Sequence, residues 1–111
     1  MKIDTQTIGA VTVVRPRGPL LAEDAAGFAA RLSDSAGRAR GRVVLDAGDI
    51  PYADSEGLER LADAGEAASA TGQLLRIAAA TPTLRTVLEI TELSPLFDHY
   101  QDVKTAVRSF L

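Results

Sequence analysis

Six residues near the middle of the chain, Arg42 to Ala47, read RVVLDA, and this run constrains the fold more than any other stretch. A short apolar run with β-branched residues and no polar alternation suits a strand buried on both faces. Burial on both faces favours parallel pairing beneath covering helices. The flanking sequence supplies the cover. Before the run, Leu21, Ala25, Phe28, Ala29 and Leu32 recur at helical spacing, with Gly37 read as the stop. After it, Leu58, Leu61, Ala62, Gly65 and Ala68 share one face of a helix that begins near Ser55 and stops at Gly72.

The remaining segments extend the alternation. Ile3 to Ile8 and Val11 to Arg15 read as strands around a Gly9-Ala10 hairpin turn, with Pro16 and Gly18-Pro19 ending the second. Gln73 to Ala79 forms a further strand. Thr81-Pro82 then starts a helix, with a hydroxyl cap and a proline in the first turn, and Leu84, Val87 and Leu88 give its inner stripe. Ser94-Pro95 breaks the chain before a short strand over Leu96 to Tyr100. Asp102 caps a last helix that buries Val103, Ala106, Val107 and Phe110. The order β-β-α-β-α-β-α-β-α predicts an α/β fold: a mostly parallel mixed sheet of about five strands with about four helices. At 111 residues and 46% apolar, the chain has enough for one core, so residues 1–111 are read as a single domain.

Composition removes several function classes. Without cysteine there is neither a disulfide framework nor a thiolate metal site. A net charge of −3 argues against a grip on phosphate backbones, so no nucleic-acid partner is expected. The opening MKIDTQTIGA has no apolar h-region, and no apolar run approaches the ~20 residues that span a bilayer. A cytoplasmic location without direct membrane insertion is expected. No glycine-rich phosphate loop is present, and no cofactor is expected.

Individual candidates for chemistry each meet a plainer reading. Asp46 ends a VVLD strand, as the phosphoacceptor of a response-regulator receiver does. A receiver also needs an acidic pair after its first strand and a lysine after its last, and VVRPRG and the late Lys104 supply neither, so bonding to loop N–H groups is preferred. Asp46, Asp49, Asp54 and Glu56 have the oxygen chemistry to gather around a hard cation, but solvated loop charges are the default. His99, the only histidine, has no nucleophile or ligand partner in the sequence. Ser55 as a nucleophile lacks a base, so the chain is not read as an enzyme. Arg15, Arg17, Arg38, Arg40 and Arg42 are ordinary surface or a partner-facing rim.

One turn resists the plain account. In IPYADSEGLERLADAG, Ile50 to Gly65, strand gives way to helix where Asp54, Ser55 and Glu56 crowd together. Asp54 or Ser55 suits the N-cap, and Glu56 is favourable against the helix dipole. Gly57 remains unexplained, because glycine inside a helix costs about 0.5–1 kcal/mol relative to alanine. Something must approach the backbone there. A phosphoryl group on Ser55 is a second account: it adds roughly −1.5 to −2 charge at a helix start, beside carboxylates that repel it. Capping is the commoner use of such residues.

The stretch GRVVLDAGDIPYADSEGLERLADAGEAASATGQLLRIAAATPTLRTVLEITELSPLF, Gly41 to Phe97, resembles the STAS domains, the anti-sigma factor antagonists of bacteria. Their pattern is a VVLDL-like strand, a short loop with a hydrophobe and an aromatic, D-S-S/T-G-L, and later a "vLeltgL…lF" helix. The resemblance implies that Ser55 is the serine phosphorylated by a partner serine kinase that is also the anti-sigma factor. Unphosphorylated antagonist binds that kinase and frees the sigma factor; phosphorylated antagonist lets go, and a serine phosphatase resets it. By the same resemblance Asp54, Ser55, Glu56, Gly57 and Leu58, with Arg17 and Gly18, form the partner-binding set. The alternative is the STAS subunit of a lipid-transport ATPase or a stressosome-like scaffold, with Ser55 only a cap and no phospho-switch.

Three positions depart from the family pattern. Glu56 stands where a second Ser or Thr is common, which weakens kinase docking or partly mimics phosphorylation. Leu21 stands where many members carry an aspartate, with Asp24 three residues away. Glu92 replaces the usual glycine in ITEL.

Overall fold

The computed structural model describes Met1–Leu111. In chain order it contains β1 (Lys2–Ile8), β2 (Val11–Arg17), α1 (Ala22–Arg38), β3 (Val43–Asp46), α2 (Ser55–Ala70), β4 (Leu75–Ala78), α3 (Pro82–Ile90), a single 3-10 turn (Ser94–Leu96), β5 (Phe97–Tyr100) and α4 (Val103–Arg108). The five strands form one sheet in the order β1-β2-β3-β4-β5, with β1 antiparallel to β2 and every other pair parallel. The fold is therefore the expected α/β arrangement.

Strand order follows chain order without reversal. Crossovers of one hand that always step the same way place their helices on the same face. Accordingly α1, α2 and α3 pack one face, where Phe28, Leu32, Leu61, Leu84 and Leu88 meet Val14, Val43, Leu45, Leu75, Ile77 and Phe97. The other face is covered by α4, where Ala106 meets Val11, Val13, Val44 and Ala78. β3 alternates between the two layers residue by residue, which is why RVVLDA carries no polar alternation.

Four sequence expectations need correction. β2 does not stop at Arg15 but runs through Pro16 to Arg17. Its parallel ladder with β3 covers only Thr12 to Val14, so Pro16 lies where β3 asks for no N–H donor. α1 does not stop at Gly37. Its end is set by Arg40 and Gly41, both at positive φ (53° and 81°), with Gly41 N–H donating to Ala36 at 2.8 Å. α4 is shorter than its periodicity suggests, and Phe110 lies beyond it, half-buried under the Arg76 guanidinium at 3.6 Å. Finally, β3, β4 and β5 are each four residues long, shorter than the segments read as strands, Arg42 to Ala47, Gln73 to Ala79 and Leu96 to Tyr100.

α3 ends in the same way as α1. Leu93 N–H donates to Leu88 (2.8 Å) and Glu92 N–H to Glu89 (3.1 Å), with Glu92 at φ 61°. This six-residue closure needs a left-handed residue at the position of Glu92, so the missing glycine of ITEL has a conformational cost. Glu92→Gly is expected to stabilise the protein by about 0.5–1 kcal/mol, after allowing for glycine's unfolded-state entropy. A thermal melt should show the midpoint rising by a few degrees.

Candidate functional site

The starts of α1, α2 and α3 converge at the end of the sheet where the parallel strands terminate. The chain zips this end shut beyond the strands proper. Gly18 N–H donates to the Asp49 carbonyl (2.9 Å) and Leu20 N–H to the Tyr52 carbonyl (3.0 Å). Asp54 N–H returns a bond to the Leu20 carbonyl (3.0 Å). Thr81 adds the third helix: its hydroxyl donates to the Ile50 carbonyl (3.1 Å) and accepts from Leu84 N–H (3.2 Å).

Asp54 is the residue that organises this end. One carboxylate oxygen accepts from Gly57 N–H at 2.8 Å, making Asp54 the N-cap of α2. The other accepts from Ala22 N–H at 2.7 Å, in the first turn of α1. α1 has no side-chain cap of its own, because Leu21 occupies its N-cap position in extended conformation. With no side-chain cap at Leu21, the first amide of α1 takes its acceptor instead from a carboxylate reaching across from the second helix. The Gly57 N–H, and after it the Ala22 N–H, hold the Asp54 carboxyl below its ordinary 3.8.

Gly57 has an equally local reason. It is buried, and a Cβ there would fall inside the Leu20 carbonyl oxygen and 3.0 Å from Leu20 Cγ. What comes close to the α2 backbone is the chain's own β2–α1 connection.

The seven residues named from the sequence therefore divide. Ser55 and Glu56 are exposed on the first turn of α2, and Ser55 takes no part in capping. Asp54 and Leu58 are half-buried, Leu58 against the core, and Gly57 is fully covered. Arg17 is exposed but paired to Asp4 at 2.7 Å on β1. Gly18 is half-buried at φ 116°. Tyr52, 50% exposed beside Asp54, received no role from the sequence, although an aromatic in this loop is part of the quoted pattern.

The other candidates resolve separately. Asp46 accepts from Gly48 N–H at 3.1 Å, the loop bonding expected of it. Arg15 clamps Asp49 (2.7 Å) and approaches Asp46 (3.8 Å), while Asp54 faces amide hydrogens, and these carboxylates do not assemble with Glu56 into a metal-binding group. His99 Nε2 contacts both the hydroxyl and the carbonyl of Ser94, far along the chain from any nucleophile at this end.

Two variants test this construction. Gly57→Ala is expected to destabilise by about 1–3 kcal/mol, measured by denaturant unfolding, because Leu20 must be displaced. Asp54→Ala is expected to lower stability at neutral pH. Because the folded-state carboxyl titrates below 3.8, its contribution is present above that value and fades as pH falls through the folded-state value. The melting-temperature gap between wild type and Asp54→Ala should therefore narrow below about pH 4.

Comparison with known proteins places this geometry. No curated protein matches the chain by sequence. Among solved structures, an anti-sigma-factor antagonist (STAS) domain protein from Planctomyces limnophilus shares 18% identity, with 96% of each chain covered and a TM-score of 0.80. The phosphorylated form of the Bacillus cell fate determinant SpoIIAA shares 16% identity over 99% of this chain and 100% of its own, with a TM-score of 0.72. A sulfate transporter family protein from Wolinella succinogenes shares 16% identity over 94% of this chain and 87% of its own, with a TM-score of 0.71. The STAS domain family matches residues 2–106, and the chain belongs to that family.

Proposed function

We propose that the chain is an anti-sigma factor antagonist-like binding module, switched by phosphorylation of Ser55 by a partner serine kinase that is also the anti-sigma factor. The observation that carries this reading is the division of labour at the start of α2. Asp54 performs the capping, so Ser55 stands exposed in the first turn with no structural duty that explains it.

The same arrangement decides where a phosphate would act. A helix start ordinarily offers free N–H groups to an anion. Here Gly57 N–H is held by the Asp54 side chain, and Leu58 N–H by the Asp54 carbonyl at 2.9 Å. A phosphoryl group on Ser55 finds those two donors taken and Glu56 beside it, so few of the helix-start amides are open to hold it. Two unit charges ~4 Å apart in water interact by only about 1 kcal/mol, which leaves the fold nearly indifferent. Across a protein interface, like charges cost several kcal/mol. The modification acts on attachment and leaves the fold in place. Asp54, Glu56, Leu58, Arg17 and Gly18, with Tyr52, surround the point of contact, and Gly57 sets its backbone.

Incubation with ATP and the anti-sigma-type serine kinases of the same organism, followed by mass spectrometry, tests the proposal. One phosphate is expected on Ser55 and none in Ser55→Ala. Phosphorylation should weaken the complex at least tenfold while moving the melting temperature by no more than a few degrees. Phosphate elsewhere, or normal release of the partner by Ser55→Ala, overturns it. Copurification with a transporter ATPase and no kinase would favour a permanent docking subunit, the reading to which the Wolinella transporter-family structure lends support.

A further inference from the structure

A cavity of about 540 Å³ lies between the later turns of α1 and α2, over the starts of β3 and β4. Its origin is the tight pinning of the two helix starts. There Gly57 admits Leu20, and Phe28 and Leu61 fill the adjoining layer. Farther along, apart from Leu32, the facing positions are small: Ala29 and Ala36 on α1, Ala64 and Ala68 on α2. Side chains this short leave the groove between the helices unfilled down to Val43 and Leu75.

The lining is chemically simple. Nine of its seventeen residues are hydrophobic, and the only charged ones are Arg40, Arg60 and Asp63. Neither arginine has an ion-pair partner within the chain. Arg40 is held at the mouth by the left-handed turn that ends α1. A site of this volume, apolar in its depth and with few polar groups, is of the kind that takes a small molecule. Arg60 lies one turn from Asp63 near the start of α2, whereas Arg40 stands without a carboxylate at the far mouth and there selects a negative head group.

We propose that this groove binds an amphipathic anion of the alkyl carboxylate class, its chain between the alanines of α1 and α2 and its carboxylate at Arg40. A protein partner's apolar helix is a poorer match, because the opening sits between two helices and is floored by strand residues only one layer away. The site is separate from Ser55 and does not depend on its modification.

Calorimetric titration with sodium hexanoate, octanoate and decanoate, each below its micelle concentration, tests the inference. Burial of each added methylene should lower Kd about fourfold until the groove is full. Arg40→Gln should weaken the carboxylate about tenfold and leave the matching alcohol unchanged, whereas Arg60→Gln, remote from the mouth, should leave both unchanged. Ala67→Phe, at an exposed lining position that spares the core, should abolish binding while circular dichroism shows the fold intact. Ser55→Ala should bind like wild type, which separates this inference from the phosphorylation reading. Affinity independent of chain length, or undiminished in Ala67→Phe, overturns the proposal. So does concentration-dependent dimerisation, by sedimentation, that Ala67→Phe disrupts, since a second copy would then occupy the groove.

Discussion

One carboxylate joins the starts of two helices, and the arrangement of this end of the molecule depends on it. Asp54 accepts from Gly57 on its own helix and from Ala22 on α1, 32 residues earlier in the chain. Each contact satisfies an amide that a helix start would otherwise leave unpaired. Together they fix α1 and α2 relative to each other within hydrogen-bond tolerance. The mutual bonds of Leu20 with Tyr52 and Asp54 lock the same joint through the backbone, and Gly57 is the residue small enough to let the joint close.

The joint has a second effect. A sheet whose strand order reverses opens a crevice at the reversal, and small molecules bind there. This sheet never reverses, and its strand ends are sealed by bonded loops and helix starts. The cavity of about 540 Å³ between α1 and α2 is lined by residues other than those of the Asp54 turn. What this end presents is an exposed surface bearing Tyr52, Ser55 and Glu56. Such a surface meets another macromolecule more readily than it encloses a substrate, consistent with the STAS family to which the chain belongs.

Much of this was legible in the residues, and the reason differs by element. RVVLDA announces a strand covered on both sides because its consecutive Val43, Val44 and Leu45 are all apolar, with no polar residue between them to face water. Thr81-Pro82 and Asp102 announce helix starts because their side chains make the capping bonds locally, to Leu84 and Thr105. Gly57 could be recognised as anomalous but not explained, since the atom it accommodates belongs to Leu20, distant in sequence. The cap of α1 was invisible for the same reason: nothing near Leu21 hints at an acceptor supplied by Asp54. The extent of β2 was misjudged because proline's missing donor matters only on a side where a neighbour asks for it. The end of α1 was misplaced because a left-handed arginine followed by glycine does the work expected of Gly37. Each misreading concerns a bond partner far along the chain or a conformation that residue type alone does not report.

The long reach between Asp54 and Ala22 also bears on how the protein is made. In a chain made from its amino end, all of α1 is joined before residue 54 is added. Until then the first helix begins with a leucine at its cap position and an amide lacking its acceptor. The start of the first helix therefore gains its side-chain acceptor only when the third strand and the start of the second helix are in place, which ties its final position to a contact 32 residues on.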